Sequence, residues 1–280
     1  MSYLLIVNAD DYARTSEVSA GIREAHLRGI VTTTTVLINL PGALEMLHKA
    51  AQATPALAIG LHLNLTLGEP CWKRHGSSAL VGDAGQFHPL RHWYEMNAEL
   101  PISWIEAEWR AQMDRMLSSG IPIDHLDSHH HIAAIRADVW QLHLELAQEL
   151  NCGVRPPFPN DTSQTRLQKN LPSPVIETAR DIALPALKQS TIPHPDAFLA
   201  SFFDDKATLK HLLRLLKTLP PGISEIMCHP GYSSPDLVET SGYSKQRQIE
   251  LEALTDDQTL QTIRDKNIEL VTYRQVWRNI

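Results

Sequence analysis

Leu4-Leu5-Ile6-Val7-Asn8-Ala9-Asp10-Asp11-Tyr12 decides how this chain is read. Four branched apolar residues in a row are the pattern of a strand buried on both faces, and the run stops in two adjacent carboxylates. In parallel α/β folds ligands and chemistry gather at the carboxyl ends of the strands, which makes Asp10 and Asp11 candidate site residues. Neighbouring side chains on an extended backbone point to opposite sides, so the two acids are expected to do different jobs. The plainer reading is that one of them caps a helix beginning near Thr15.

Later strands repeat the theme. Apolar periodicity predicts a helix from Ser16 to Arg28 ending at Gly29, a Thr-rich strand from Val31 to Leu40, and a helix from Pro41-Gly42 to about Ala51. A third strand, Leu57 to Asn64, brings His62 to the end of the sheet that holds the acids. Between Thr66 and about Leu100 periodicity disappears among Gly68, Pro70, Gly76, Gly82, Gly85 and Pro89. That connection carries Trp72, Phe87, Trp93 and Tyr94, and is expected to be an ordered lid or binding wall without regular elements. The same aromatics would equally well pack the loop onto the core.

An amphipathic helix is predicted over Ile102–Ser119. Its apolar residues face either the core or the partner in a homodimer. Ile123 to Asp127 then reads as a short strand running into Ser128-His129-His130-His131, followed by a helix over Asp138–Leu150 and a brief strand at Gly153-Val154-Arg155. The 156–195 segment is the least legible, with short helical pieces among its prolines. Helix Thr208–Leu219 precedes a strand at Ser224–Cys228 that ends in His229, and a loop is expected from Tyr232 to Tyr243. Helical stretches over Arg247–Leu254 and Asp256–Lys266, and a strand at Ile268–Thr272, close the chain. Strands alternating with helices throughout, with no linker or repeat, predict one α/β domain spanning 1–280, an incomplete or distorted TIM-like barrel. No G-x-G-x-x-G follows the first strand, which weakens a dinucleotide-binding reading.

With 280 residues, 43% of them hydrophobic, the chain is long enough for a large core, and a net charge of −7 without a basic cluster argues against a nucleic-acid partner. No stretch approaches the length of a membrane span, and the N-terminal run lacks the basic flank of a signal peptide. Three widely spaced cysteines without a C-x-x-C pattern fit a reduced, cytoplasmic protein.

Four strand ends therefore supply carboxylates or imidazoles: Asp10 with Asp11, His62, Asp127 with His129 to His131, and His229. One such histidine is ordinary; four strands ending this way point to a metal or catalytic site. A carboxylate with two imidazoles is a common ligand set for a catalytic divalent cation. One acid of the Asp pair would bind the ion and the other take a proton from water, with His229 protonating the leaving group. That describes metal-assisted hydrolysis of an amide or ester. Not all of His129-His130-His131 can be ligands, and His125 reads as structural.

Asn8-Ala9-Asp10-Asp11-Tyr12, Gly60-Leu61-His62-Leu63-Asn64-Leu65-Thr66, His125-Leu126-Asp127-Ser128-His129-His130-His131 and Met227-Cys228-His229-Pro230 together resemble the YdjC-like (ChbG-type) carbohydrate deacetylases. The resemblance runs from residue 4 to about residue 274. It implies a divalent-metal-dependent hydrolase that removes acetyl from an N-acetylated sugar of the chitooligosaccharide or diacetylchitobiose type. By position it makes Asp11, His62 and His129 the metal ligands, Asp10 the base and His229 the acid. Arg155 matches an arginine that steadies the base in related deacetylases. Tyr243, Arg247 and Glu250 match a family segment near the closing helices, and Asp127, His131, Tyr243 and Arg247 are expected beside the substrate or behind the ligands. The family suggests magnesium, whereas two imidazoles suggest zinc. Tyr12-Ala13 departs from the Phe-Gly of many members. Rival readings are another metal-dependent amidohydrolase or phosphoesterase, or a non-catalytic sugar-binding protein on the same fold.

Overall fold

The run that opens the chain forms the middle of a sheet. β1 (Tyr3–Tyr12) is flanked by parallel partners on both sides, which is why its apolar residues need no polar face. In this computed structural model, which describes residues 2–73, 77–96, 100–160 and 172–277, the other strands are β2 (Thr33–Val36), β3 (Ala58–Leu63), β4 (His125–Ser128), β5 (Gly153–Val154), β6 (Ala197–Leu199), β7 (Gly222–Cys228) and β8 (Ile268–Leu270). They line up as β5-β4-β3-β2-β1-β7-β6, with β8 pairing the first residues of β1. Every named pair is parallel, and helices fill the crossovers. β5 and β6 share no ladder; Val154 N–H instead donates to the Pro193 carbonyl beside β6 at 2.9 Å. The barrel is incomplete at that seam, in keeping with the strand–helix alternation of the sequence.

Local chemistry sets the helix ends. Thr15 and Thr208 hydroxyls accept from Val18 N–H and His211 N–H at the starts of helices Ser16–Arg28 and Leu209–Lys217. Thr272 and Gln275 form a reciprocal capping box on Tyr273–Val276. The predicted break between the closing helices falls at Asp256, whose side chain accepts from Gln258 N–H as helix Lys245–Thr255 gives way to Asp257–Asp265.

Some expectations need correction. The 66–100 connection contains a helix, Leu90–Met96, and a short 3-10 turn at Ser77–Leu80. Its aromatics pack inward: Phe87 and Trp93 are buried, and Trp72 and Tyr94 lie against the same core. Gly76 lies outside the described residues, as do residues 161–171 of the 156–195 segment, which is expected to hold short helical pieces among its prolines. Within that segment Ser173–Gln189 is helical with a π-turn at Thr178–Ala183. Strand β6, just beyond it, has no counterpart among the sequence-based expectations, and the expected loop 232–243 holds helix Pro235–Thr240. Helix Ile102–Leu117 turns Ile105, Trp109, Met113 and Met116 into the core, so the face considered for a homodimer is consumed within the chain. No helix among the described residues is long and apolar enough to cross a membrane.

Candidate metal and catalytic centre

All four strand ends meet at one rim, but the Asp pair arrives differently from expectation. The β1–β2 register slips between Ala9 and Tyr12, and Asp11 takes φ 71°. This bulge rotates Asp11 back, so both acids enter one cavity instead of opposite faces. Ala13 also sits at φ 71°, a left-handed conformation that costs a non-glycine residue roughly 1–3 kcal/mol and that a glycine adopts freely. After β4, His130 and His131 have φ of 56° and 54° and break the strand. His129 is thereby left facing Asp11, while His130 Nδ1 meets the Thr66 hydroxyl at 2.9 Å.

Three ligand atoms converge. Asp11 Oδ1 lies 3.1 Å from His129 Nδ1 and 3.5 Å from His62 Nε2, and the two ring nitrogens are 3.2 Å apart. Donors about 2.0–2.2 Å from a common divalent ion stand about 3.0–3.5 Å from one another, so the separations fit. Asp11 Oδ1 is buried without a hydrogen bond, as an atom reserved for a cation would be. His62 Nδ1 donates to Asp127 Oδ1 at 2.6 Å, the support by which a carboxylate fixes a ligating imidazole. A second group, Asp10, His62 and Asp127, is also compact. Its oxygens are already engaged: Arg155 Nη1 and Nη2 donate to Asp10 Oδ2 and Oδ1 at 2.7 and 2.6 Å, and Nη1 is 2.8 Å from Asp127 Oδ2. Asp11, His62 and His129 are the set with free lone pairs.

Charge accounting agrees. Asp10, Asp11, Asp127 and Glu225 contribute four buried negative charges, and Arg155 and Arg247 two positive ones. Arg155 Nε donates to Glu225 Oε1 at 2.8 Å, and Arg247 Nη2 to Asp11 Oδ2 at 2.5 Å. Carboxylates thus outnumber guanidinium groups among these buried side chains, an imbalance that favours a cation. Burial opposes a proton on His62, but the carboxylates of Asp127, Asp11 and Asp10 outweigh it and push the imidazole up to about 10. A cation at Nε2 would take that proton's place. Burial likewise works against the charge on Asp11, yet Arg247 holds it well below the usual carboxylate range. For Asp10, burial is overcome by Arg155 and the net displacement is again downward.

Opposite the triad stands His229, with Nε2 3.8 Å from Asp10 Oδ2. Burial lowers it to about 4, so it is a neutral imidazole, and its Nδ1 has no hydrogen-bond partner. Its backbone N–H donates to Glu250, which also takes the Tyr243 hydroxyl. Burial pushes the Glu250 carboxyl up to about 8 despite those two bonds. Phe203 stacks on Tyr243 at 4.5 Å and meets the His229 ring edge-on at 5.3 Å. Asp10, Asp11, His62, His129, His131, His229, Tyr243 and Arg247 line a cavity of about 400 Å³. Asp127 and Arg155 sit behind it, and His125 lies apart, stacked on Tyr273 at 4.2 Å.

Sequence reasoning missed Asn8, Thr35, Glu225, Phe203 and Arg14. Asn8 Nδ2 donates to Asp10 Oδ1 at 2.8 Å, and the Thr35 hydroxyl donates to Asp127 Oδ2 at 3.1 Å. Both are polar residues within buried strands, spaced by two from a neighbour on the same face, which is a readable signal. The aromatic wall comes from Phe203 and Tyr243, since Trp72, Phe87, Trp93 and Tyr94 do not reach the cavity.

Residues 4–265 match the model of the YdjC-like protein family. A carbohydrate deacetylase of Thermoanaerobacter pseudethanolicus is 33% identical over 98% of this chain and 98% of its own length. One of Vibrio cholerae is 32% identical over 96% and 94%. Among solved structures, a protein of Enterococcus faecalis V583 described as acting in cellobiose-phosphate cleavage superposes with a TM-score of 0.82, at 31% identity and 99% coverage of both chains. Full-length similarity of this kind, together with the shared architecture, settles the grouping: the chain belongs to the YdjC-like family.

Proposed function

We propose that this chain is a carbohydrate N-deacetylase that hydrolyses the acetamide of a chitooligosaccharide-type sugar with the help of one divalent cation. The observation that carries the reading is the convergence of Asp11 Oδ1, His62 Nε2 and His129 Nδ1 in a buried, carboxylate-rich site beside Asp10 and His229. The relatives named carbohydrate deacetylases supply the substrate class. Asp11, His62 and His129 would hold the ion; when bound, it polarises a carbonyl and acidifies water. One carboxylate and two imidazoles favour zinc over magnesium.

The chain's own groups do the rest. Asp10, oriented by the fork of Arg155, accepts a proton from the attacking water through a lone pair that Arg155 does not use. Water oxygen bonds to the acetyl carbon and the carbon–nitrogen bond breaks. His229 is neutral at rest and 3.8 Å from Asp10, so it receives that proton across the cavity and delivers it to the departing amine. Acetate and a free amino sugar leave. Phe203 and Tyr243 offer an apolar face for the sugar ring. A phosphoesterase is disfavoured because Arg155 and Arg247 are each spent on a carboxylate. The unpaired state of Cys71, Cys152 and Cys228 suits a reducing, cytoplasmic setting.

Asp10→Asn is expected to abolish acetate release while sparing metal uptake, and His62→Ala to lose both. An Asp10→Asn protein with near-normal turnover would overturn the assignment.

A further inference from the structure

The reaction cavity does not end at the sugar-sized space above the triad. Arg14, Leu67 and Thr240 line it and also line a second cleft of about 840 Å³, roughly twice its volume. Arg14 Nη2 donates to the Thr240 carbonyl at 2.9 Å and to its hydroxyl at 3.3 Å, a side-chain bridge at the junction of the two spaces. Small-molecule pockets run to roughly 300–1,000 Å³, so the inner space suits one ring and the outer has room for more.

The wall between them is built, not incidental. The Leu67 carbonyl accepts from Asn39 Nδ2 at 2.8 Å and Asn64 Nδ2 at 2.7 Å, and Asn39 also reaches the Glu69 carbonyl at 3.0 Å. Fully buried Glu108 then takes the backbone N–H groups of Cys71 and Trp72 at 2.9 and 2.7 Å. Buried side chains thus fix the 67–72 backbone that forms the cleft's edge.

The outer cleft's chemistry names its ligand. Its charges are Arg14, Lys73 and Arg115 against Glu17, Glu69 and Asp236, three of each sign, with Lys73 and Glu69 paired at 2.8 Å. An anion gains nothing from such a balance, whereas a neutral polyhydroxyl compound finds donors and acceptors on every side. Arg115 Nε is a buried donor without a partner. Leu40, Pro41 and Met46 add an apolar strip for a ring face.

We infer that the outer cleft is a subsite for the further, uncharged ring or rings of an oligosaccharide whose acetylated ring lies over the triad, with Arg14 and Thr240 at the junction. The inference rests on the acetylated-sugar reading for what occupies the inner space.

Calorimetric titration of the whole chain with glucosamine and with the disaccharide that joins it to one N-acetylglucosamine, whose second ring is uncharged, tests it, because binding of these deacetylated products needs no turnover. The disaccharide should bind about tenfold or more tighter than the monosaccharide. Gln86→Trp, which fills the outer cleft, and the milder Arg115→Met should each shrink that ratio toward unity. Equal affinities for the mono- and disaccharide, or a ratio untouched by both variants, would overturn the subsite. Acetate release from diacetylchitobiose is followed separately: its absence alongside an intact affinity ratio would sink the deacetylase reading and leave the subsite standing.

Discussion

Arg155 ties three buried carboxylates of this site together, so its loss should have a calculable effect. Its guanidinium is 2% exposed and touches three carboxylates, Asp10, Asp127 and Glu225, at 2.6 to 2.8 Å. Arg155→Met keeps much of the side chain's length and removes the charge, stranding three buried acids. Removing one partner of a buried ion pair costs about 3–5 kcal/mol. That is a large part of the roughly 5–15 kcal/mol typical of a folded domain. Urea unfolding followed by circular dichroism should show the midpoint falling with little change in slope.

The loss should depend on pH, and its sign is set by the groups involved. Arg155 keeps Asp10 and Asp127 below the usual carboxylate range against the opposing effect of burial. Carboxyls depressed on folding contribute stability that is present above their unfolded values and lost as pH falls through the folded ones. Without Arg155, burial would raise both instead, so the variant should be weakest at about pH 8 and approach the wild type as the acids protonate toward about pH 4. Acetate release should also fall by about 100-fold, since Asp10 loses its orientation. A deficit below about 1 kcal/mol, or one that does not change between about pH 8 and pH 4, would refute the reasoning.

Two further expectations concern positions outside the triad. A Cβ on Gly21 would lie 2.6 Å from Gly231 Cα and 2.9 Å from its carbonyl carbon, both backbone atoms of the turn behind His229. Gly21→Ala should therefore cost about 1–3 kcal/mol in chemical unfolding and depress turnover, and an unchanged midpoint would show that the helix slides freely. His143 is buried between Trp109 and Trp140 with neither ring nitrogen hydrogen-bonded, and burial lowers it to about 4. A histidine depressed on folding gives stability that is complete above its unfolded value near 6.5 and is lost as pH falls toward 4, about 3 kcal/mol in all. His143→Phe should flatten the decline in unfolding free energy between those pH values, and an equally steep decline would place the acid sensitivity elsewhere.

The parts of the structure readable in the sequence are those where chemistry breaks a pattern. Apolar runs that stop in Asp10-Asp11, His62, Asp127 and His229 locate strand ends without knowledge of pairing, and the parallel arrangement brings those ends together. Three-residue β6 is legible only through its ladder with β7, and the helices Leu90–Met96 and Pro235–Thr240 are too short for periodicity to show. Ser234 before Pro235 is a usable cap signal within the expected loop. Glu225 and Glu250 could not be placed from spacing, because their partners Arg155 and His229 stand 70 and 21 residues away. The bulge at Asp11 likewise depends on the β1–β2 register, so alternation alone sends the two acids to opposite faces.

The most direct test of the central claim is acetate release from N,N′-diacetylchitobiose by metal-stripped protein, restored in parallel with zinc, magnesium, manganese and cobalt while bound metal is counted. The stripped protein should release no acetate and should recover with one equivalent of a divalent ion, a recovery lost again in His62→Ala. Undiminished release from protein shown to be free of metal, or failure to bind any of these ions, would contradict the role given to Asp11, His62 and His129.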